Sequence, residues 1–262
     1  VADLLTDEYL AWCRNQRITP NTVTSRRRVL KSLGNAGVAT REEVEAWWNE
    51  RAHLTAGTRS NDLANLRTFF KWCRRWEHRD DDPTLRLDSP KVSRGLPRPL
   101  SKPDLLRLLD VLGPDLRRSV CLGAYAGLRV SEAAALRWDD IDLEINTMRI
   151  NDSKGGKSRL VKVSPLLIDE LLPRADGNVV TAGERPYSAA NLQRKINRAI
   201  KAAGVTATFH QLRHRYGTVA YQATGDLLAV GRQMGHSSPV TTAIYAQASD
   251  DITAKIAAAV LR

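Results

Sequence analysis

The sequence predicts a mainly α-helical chain with a small β-hairpin, divided into two domains. Three observations lead there. Apolar residues recur at helical spacing through most of the chain, strand-like runs occur only near residues 147–151 and 159–163, and prolines crowd the stretch between two helical regions. The expected plan is a helical domain at 1–80, a linker at 81–99 and a larger domain at 100–262 that carries the hairpin.

Helical punctuation is clear in the first domain. Residues 3–14 carry Leu4, Leu5, Tyr9 and Trp12 on one stripe. Thr19-Pro20 is an N-cap followed by a first-turn proline, and the helix it opens stops near Gly34. Thr40 and Glu43 have the spacing of a capping box ahead of Val44, Trp47 and Trp48. A fourth helix is expected from about 58 to 76, with Leu63, Leu66, Phe69, Phe70 and Cys73 facing inward. Four short helices with aromatic seams make a small bundle.

The linker holds Pro83, Pro90, Pro97 and Pro99 among Lys91, Arg94 and Arg98. Proline denies such a stretch a helix or a central strand, so it reads as extended and basic. Beyond it, Ser101 caps a helix, and a second runs from about 115 until Gly127 interrupts it. Two short strands, 147–151 and 159–163, flank the turn Ser153-Lys154-Gly155-Gly156-Lys157. Helices resume near Pro165, Ser188, Phe209, Asp226 and Pro239, and the Ala-rich segment 252–261 is amphipathic.

Charge narrows the partner. Across 262 residues, 40 Lys and Arg against 29 Asp and Glu give +11, with a pI near 9.9. An arginine-led excess of this size favours a polyanion, nucleic acid ahead of charge that serves solubility alone, with an anionic membrane third. No apolar run is long enough to span a bilayer and the start has no signal-peptide layout, so the expected place is the cytoplasm. Cys13, Cys73 and Cys121 are widely spaced in apolar surroundings, which points to buried thiols rather than a disulfide frame or zinc.

Four separated clusters carry chemistry. They are Arg129 with Glu132 in A-G-L-R-V-S-E, Lys154 in S-K-G-G-K-S-R-L-V, His210 with Arg213 in F-H-Q-L-R-H, and His236 with Tyr245 in M-G-H-S-S-P-V-T-T-A-I-Y. Together they offer a nucleophile, a proton donor and fixed cations, the set needed to attack a phosphodiester. Water solvates the diester's charge well, so a protein must replace that solvation with preset donors. Two guanidiniums can grip both non-bridging oxygens in forked geometry, which two lysines do poorly. Singly, each cluster has a plain structural reading: a helical ion pair, a solvated hairpin lysine, a packed aromatic. The His210–His214 spacing also suits zinc, but Arg213 on the same helix would repel a cation, and no third ligand is evident.

In their order and contexts the four strings resemble the catalytic domain of the tyrosine recombinases, also called the phage integrase family, from about residue 100 to the C-terminus. The resemblance implies a two-domain DNA clamp that recombines double-stranded DNA at specific sites, without metal, ATP or other cofactor. Arg129, Arg213, His210 and His236 are then expected on the scissile phosphate, with His210 alternatively assisting the nucleophile's proton and Glu132 orienting the set. Lys154 is expected as general acid to the departing 5′ oxygen, and Tyr245 as the nucleophile of a 3′-phosphotyrosyl link. Lys157 is expected as a neighbouring phosphate contact or as a competitor for the acid role.

Arg26, Arg27, Arg28 and Lys31 on one helix, Arg67, Lys71, Arg74 and Arg75 on another, and Lys91 and Arg94 in the linker are expected to hold the DNA backbone. A homotetramer on DNA passing through a Holliday junction follows from the same resemblance, with the 252–261 helix docking on a neighbour. This chain begins almost directly at the expected core-binding helices, so an arm-type DNA-binding domain is not expected within it; simple recombination sites and a trimmed chain would each account for that. Two departures from the family pattern are Gln247 where many members have His, and Lys162 where Pro is common. Two rival readings remain, a regulator with a helix-turn-helix at 226–246 and a type IB topoisomerase.

Overall fold

The computed structural model describes residues 4–93, 98–151, 158–183, 185–236 and 238–247. Arg94, Lys154, Lys157 and the 252–261 segment lie outside the described residues. The chain divides into two compact units, Val1–Arg94 and Gly95–Arg262.

The first unit is a bundle of α1 (Leu4–Asn15), α2 (Pro20–Leu33), α3 (Arg41–Glu50) and α4 (Ala56–Arg75). Local chemistry sets each boundary. Pro20 occupies the first turn of α2, and Gly34, with φ of 90°, ends it. Thr40 and Glu43 form the reciprocal capping box that opens α3. α4 starts two residues before expectation, because Thr55 rather than a later residue accepts the Thr58 N–H, at 3.2 Å. Tyr9, Leu30, Trp47, Leu63, Leu66, Phe69 and Phe70 fill the core, where Tyr9 meets Phe69 edge-on at 5.2 Å.

The proline-rich stretch is not uniformly extended. Thr84 and Leu87 are buried, and the Leu87 carbonyl accepts a hydrogen bond from Arg67. The Thr84 N–H and hydroxyl both donate to Asp82 Oδ1. This half of the stretch packs within the first unit, because an apolar Leu87 gains more against the bundle than in water.

In the second unit α5 (Lys102–Asp110), α6 (Pro114–Ala126) and α7 (Val130–Ala135) precede a three-stranded antiparallel sheet, β1 (Ile141–Asp142), β2 (Thr147–Asn151) and β3 (Ser158–Lys162). Then come α8 (Pro165–Leu171), the hairpin β4 (Thr181–Ala182) and β5 (Arg185–Pro186), α9 (Ala189–Ala202), α10 (Phe209–Thr224), α11 (Leu227–Met234) and α12 (Pro239–Gln247). The expected β-hairpin is thus β2–β3 with a third strand added. β1, β4 and β5 have two residues each, too few to leave a period-2 trace.

α6 is the spine of this unit, packing on α7, α8, α9 and α10. Gly123 lets α10 approach: a Cβ there would stand 3.0 Å from Phe209 Cζ. A separate apolar cluster of Tyr221, Val230, Met234 and Tyr245 joins α10, α11 and α12. In β3, pairing Val161 with Met148 and Arg159 with Ile150 sets Arg159 on the inward face. Leu160, between them, is 65% exposed. No helix among the described residues is long and apolar enough to cross a membrane.

Candidate active site

Arg129 is the N-cap residue of α7, reached through the left-handed Gly127 that ends α6. That turn brings the Glu132 carboxylate back onto Arg129, accepting its backbone N–H at 2.8 Å and its guanidinium at 2.7 Å. Arg159 reaches the same carboxylate from β3, one terminal nitrogen to each oxygen, both at 2.9 Å. Arg213, from α10, stands 3.8 Å away. One buried carboxylate therefore holds three guanidiniums together. Burial alone would raise the Glu132 carboxyl, but hydrogen bonds from Arg159 and from the Arg129 backbone, with both positive charges, outweigh it and hold the group at about 2.

Each of these arginines also donates to one of three consecutive carbonyls at the C-terminus of α11: Arg159 to Gln233, Arg213 to Met234 and Arg129 to Gly235. A helix leaves its last carbonyls unpaired, and its negative end favours cations. Gly235, with φ of 67°, closes α11 and turns the chain into His236. The His236 N–H donates to Gly231 and its Nδ1 shares a hydrogen bond of 2.8 Å with the Thr242 hydroxyl. Thr242 lies on α12, and so does Tyr245.

Tyr245 is 2% exposed. Its ring rests on Gly217 of α10, where a Cβ would be 2.4 Å from Cζ. Its hydroxyl lies 3.2 Å from His214 Nδ1, and its ring stacks at 6.3 Å from that of His236. Arg129, Glu132, Arg213, His236 and Tyr245, drawn from separate parts of the sequence, thus share one neighbourhood.

Residues 100–251 match the phage integrase family. The tyrosine recombinase XerA of Thermococcus kodakarensis is 35% identical over 212 residues, 74% of this chain and 73% of that protein. XerD of Xanthomonas campestris pv. campestris is 32% identical over 226 residues, 76% of this chain and 70% of that one. A solved structure of a lambda integrase (75-356) dimer bound to a COC′ core site is similar in fold. Its TM-score is 0.75 at 18% identity, covering 92% of this chain and 96% of that one. The chain belongs to the phage integrase family of tyrosine recombinases.

In this tyrosine recombinase the site's cations differ in access. The Arg129 side chain is 38% exposed and that of Arg213 only 2%, so Arg129 is the open guanidinium. Burial and the Arg129 charge bring Arg213 down to about 10, still protonated at neutral pH. Burial, with Arg213 and Arg129 nearby, lowers His236 to about 4. Burial and His210 likewise lower His214 to about 4. His210 itself is lowered by burial, Arg213 and Arg129. At neutral pH His214 and His236 are uncharged and act as hydrogen-bonding groups. Burial lifts the Tyr245 phenol above its ordinary 10.0 while Arg213 and Arg129 pull it back.

Sequence reasoning missed three residues that the structure brings into this cluster. His214, not His210, is the imidazole hydrogen-bonded to the nucleophile candidate; the His210 ring lies 4.4 Å from it, one turn earlier on α10. Thr242 fixes His236. Arg159 completes the Glu132 cluster, and its signal was an arginine on the inward face of a strand whose neighbour Leu160 points out.

The expected backbone contacts also differ in freedom. Arg27, Lys31, Lys71, Arg74, Arg75 and Lys91 are exposed. Arg28 pairs with the buried Asp62, Arg26 donates to Cys13 Sγ at 3.1 Å, and Arg67 holds Leu87. In the second unit a basic recess unnoticed in the sequence is lined by Arg185, Tyr187, Asn191, Arg194, Lys195 and Arg198. None of its four cations takes part in an ion pair among the described residues.

Proposed function

We propose that this recombinase cuts and rejoins double-stranded DNA at specific sites by two transesterifications centred on Tyr245. The observation that carries the reading is the joining of Arg129, Arg213, His236 and the Tyr245 helix through Glu132 and the α11 carbonyls. The Tyr245 hydroxyl gives its proton to an imidazole of α10 as its oxygen attacks phosphorus, a 3′-phosphotyrosyl bond forms, and the bond to the 5′ oxygen breaks. That oxygen takes a proton from Lys154 and leaves as a hydroxyl. Rejoining reverses the roles, the 5′ hydroxyl of the partner strand displacing the phenol. Bond energy stays in the phosphotyrosine, so the exchange requires no nucleotide.

Arg129 offers the non-bridging oxygens an open guanidinium, and His236, held through Thr242, adds a hydrogen-bond donor beside it. Tyr245 and Arg213 are covered in the described arrangement. Attack therefore requires α12 to shift and free the phenol from Gly217 and His214. Exposed cations in both units, Arg27, Lys31, Lys71, Arg74 and Arg75 in the first and the α9 recess in the second, would bind backbone phosphates without reading sequence. Two sites held by four copies, with the 252–261 segment reaching a neighbour, complete the reading.

A duplex nicked just beyond the cleavage position traps the covalent step, because the short released strand diffuses away. The wild-type chain should become linked to the 3′ phosphate, and Tyr245→Phe should not. Absence of the link in the wild type would leave a DNA-binding regulator. Relaxation of supercoils without exchange between two sites would point instead to a topoisomerase.

A further inference from the structure

We propose that Arg159 is a positioning residue of the cleavage centre, tying strand β3 to the C-terminus of α11 and thereby setting His236 and the Tyr245-bearing helix. The inference rests on the reading of this site as a strand-cleavage centre and names a member of it outside the four motif clusters. Three facts carry it.

The first is how Arg159 uses its donors. Its Nε binds the Gln233 carbonyl at 2.8 Å, and its two terminal nitrogens bind the two Glu132 oxygens. The fork faces protein, and its side chain is mostly covered. A substrate phosphate is left to Arg129, so Arg159 acts through its neighbours. The second is the sharing of consecutive carbonyls. Without Arg159 the Gln233 carbonyl loses its donor and Glu132 loses both hydrogen bonds that face β3. The carboxylate is then free to swing with Arg129, whose other hydrogen bond goes to the Gly235 carbonyl beside His236.

The third is the fit at Gly235. A Cβ there would meet Arg159 Nη1 at 2.7 Å, and the left-handed φ already disfavours any side chain. The turn that aims His236 and the Arg159 guanidinium are thus packed on each other. Lysine cannot substitute, since an ammonium has no planar fork to span both carboxylate oxygens and a carbonyl. Arg159 also follows Lys154 closely in sequence, so the same strand that leads away from the expected general acid is anchored to the nucleophile's side of the site.

The test compares wild type, Arg159→Ala, Arg159→Lys, Glu132→Gln and the Arg159→Ala/Glu132→Gln pair in single-turnover cleavage of the nicked duplex. Gel-shift affinity and thermal unfolding are measured alongside, with the core variant Leu171→Ala as a stability-matched control. Both Arg159 variants should cleave about 10²-fold more slowly, the order of loss that a misplaced reacting group brings, while binding DNA nearly as well. The pair should cleave no more slowly than the worse single variant, because both remove one interaction. The acid side of the rate–pH profile should move to higher pH in Arg159→Ala and stay in place in Leu171→Ala.

Wild-type cleavage by either folded Arg159 variant, or additive losses in the pair, overturns the proposal. If Arg159→Ala does not fold, Arg159→Lys decides. Failure of the wild type to form a Tyr245-dependent link defeats the cleavage reading instead. In that event the positioning claim is judged by the His236 ring resonances in DNA-free protein. They should shift in Arg159→Lys; unchanged resonances overturn it.

Discussion

Tyr245 lies flat against the backbone of Gly217, closer than any side chain at that position would allow. A Cβ on Gly217 would come within 2.4 to 2.8 Å of three ring carbons. Glycine inside a helix ordinarily costs about 1 kcal/mol relative to alanine, so α10 retains it here for the room it leaves.

Replacing Gly217 by Ala should therefore destabilise the protein by about 1–3 kcal/mol through overpacking, despite the better helix propensity. In a Tyr245→Ala background the same change should be neutral or mildly stabilising. Denaturant midpoints of the four proteins measure this. Equal destabilisation in both backgrounds would show that the ring is not what the glycine accommodates.

Arg213 and Arg129 both face Glu132 but should fail differently. Arg213 is buried and satisfies the Gly127 and Met234 carbonyls. Arg213→Ala should cost about 3 kcal/mol or more of stability, two carbonyls being left without donors, and should also remove cleavage. Arg129→Ala, at a more open position, should cost less stability and on the order of 10² or more in cleavage rate. Unfolding and single-turnover assays on the same preparations separate the two effects.

Much of this architecture was readable because its determinants are local. The Thr40–Glu43 box, the first-turn Pro20 and the helix stop at Gly127 each act within a few residues, and each sits where its chemistry predicts. What escaped is non-local. Arg159 meets Glu132 across 27 residues and Gln233 across 74, and His214 meets Tyr245 across 31. Such pairs leave no period and no short motif. Arg26 and Arg28 show the converse: beside Arg27 they look like one exposed basic run, yet Cys13 and Asp62 engage them because α2 turns them toward α1 and α4.

Acid should unfold the protein in two stages. His214 and His236 sit at about 4 against an ordinary 6.5. The unfolded chain binds their protons first, so stability is full above 6.5 and declines as pH falls toward 4. Glu132, held at about 2 against 4.5, adds stability that is full above 4.5 and is lost as pH falls toward 2. His236→Gln should flatten the first stage, and Glu132→Gln the second. Unfolding free energy measured from pH 8 to pH 2 resolves them, and a profile unaltered by both substitutions would contradict the assigned causes.

The basic recess on α9 supplies the last prediction. Arg194, Lys195 and Arg198 extend from one helix beside Arg185, with Lys195 set over the Tyr187 ring at 5.6 Å. Helical spacing puts Arg194 and Arg198 on one face, so two guanidiniums can follow successive phosphates. Changing Arg194, Lys195 and Arg198 together to Gln should weaken binding to specific and unrelated duplexes alike. The slope of log affinity against log salt should fall by about 0.9 for each phosphate that is no longer neutralised. Cleavage by the DNA-saturated variant should keep its rate, since none of the three belongs to the Glu132 cluster. A weakening confined to one target sequence would mean that α9 reads bases rather than backbone, and an unchanged salt slope would remove α9 from the DNA surface.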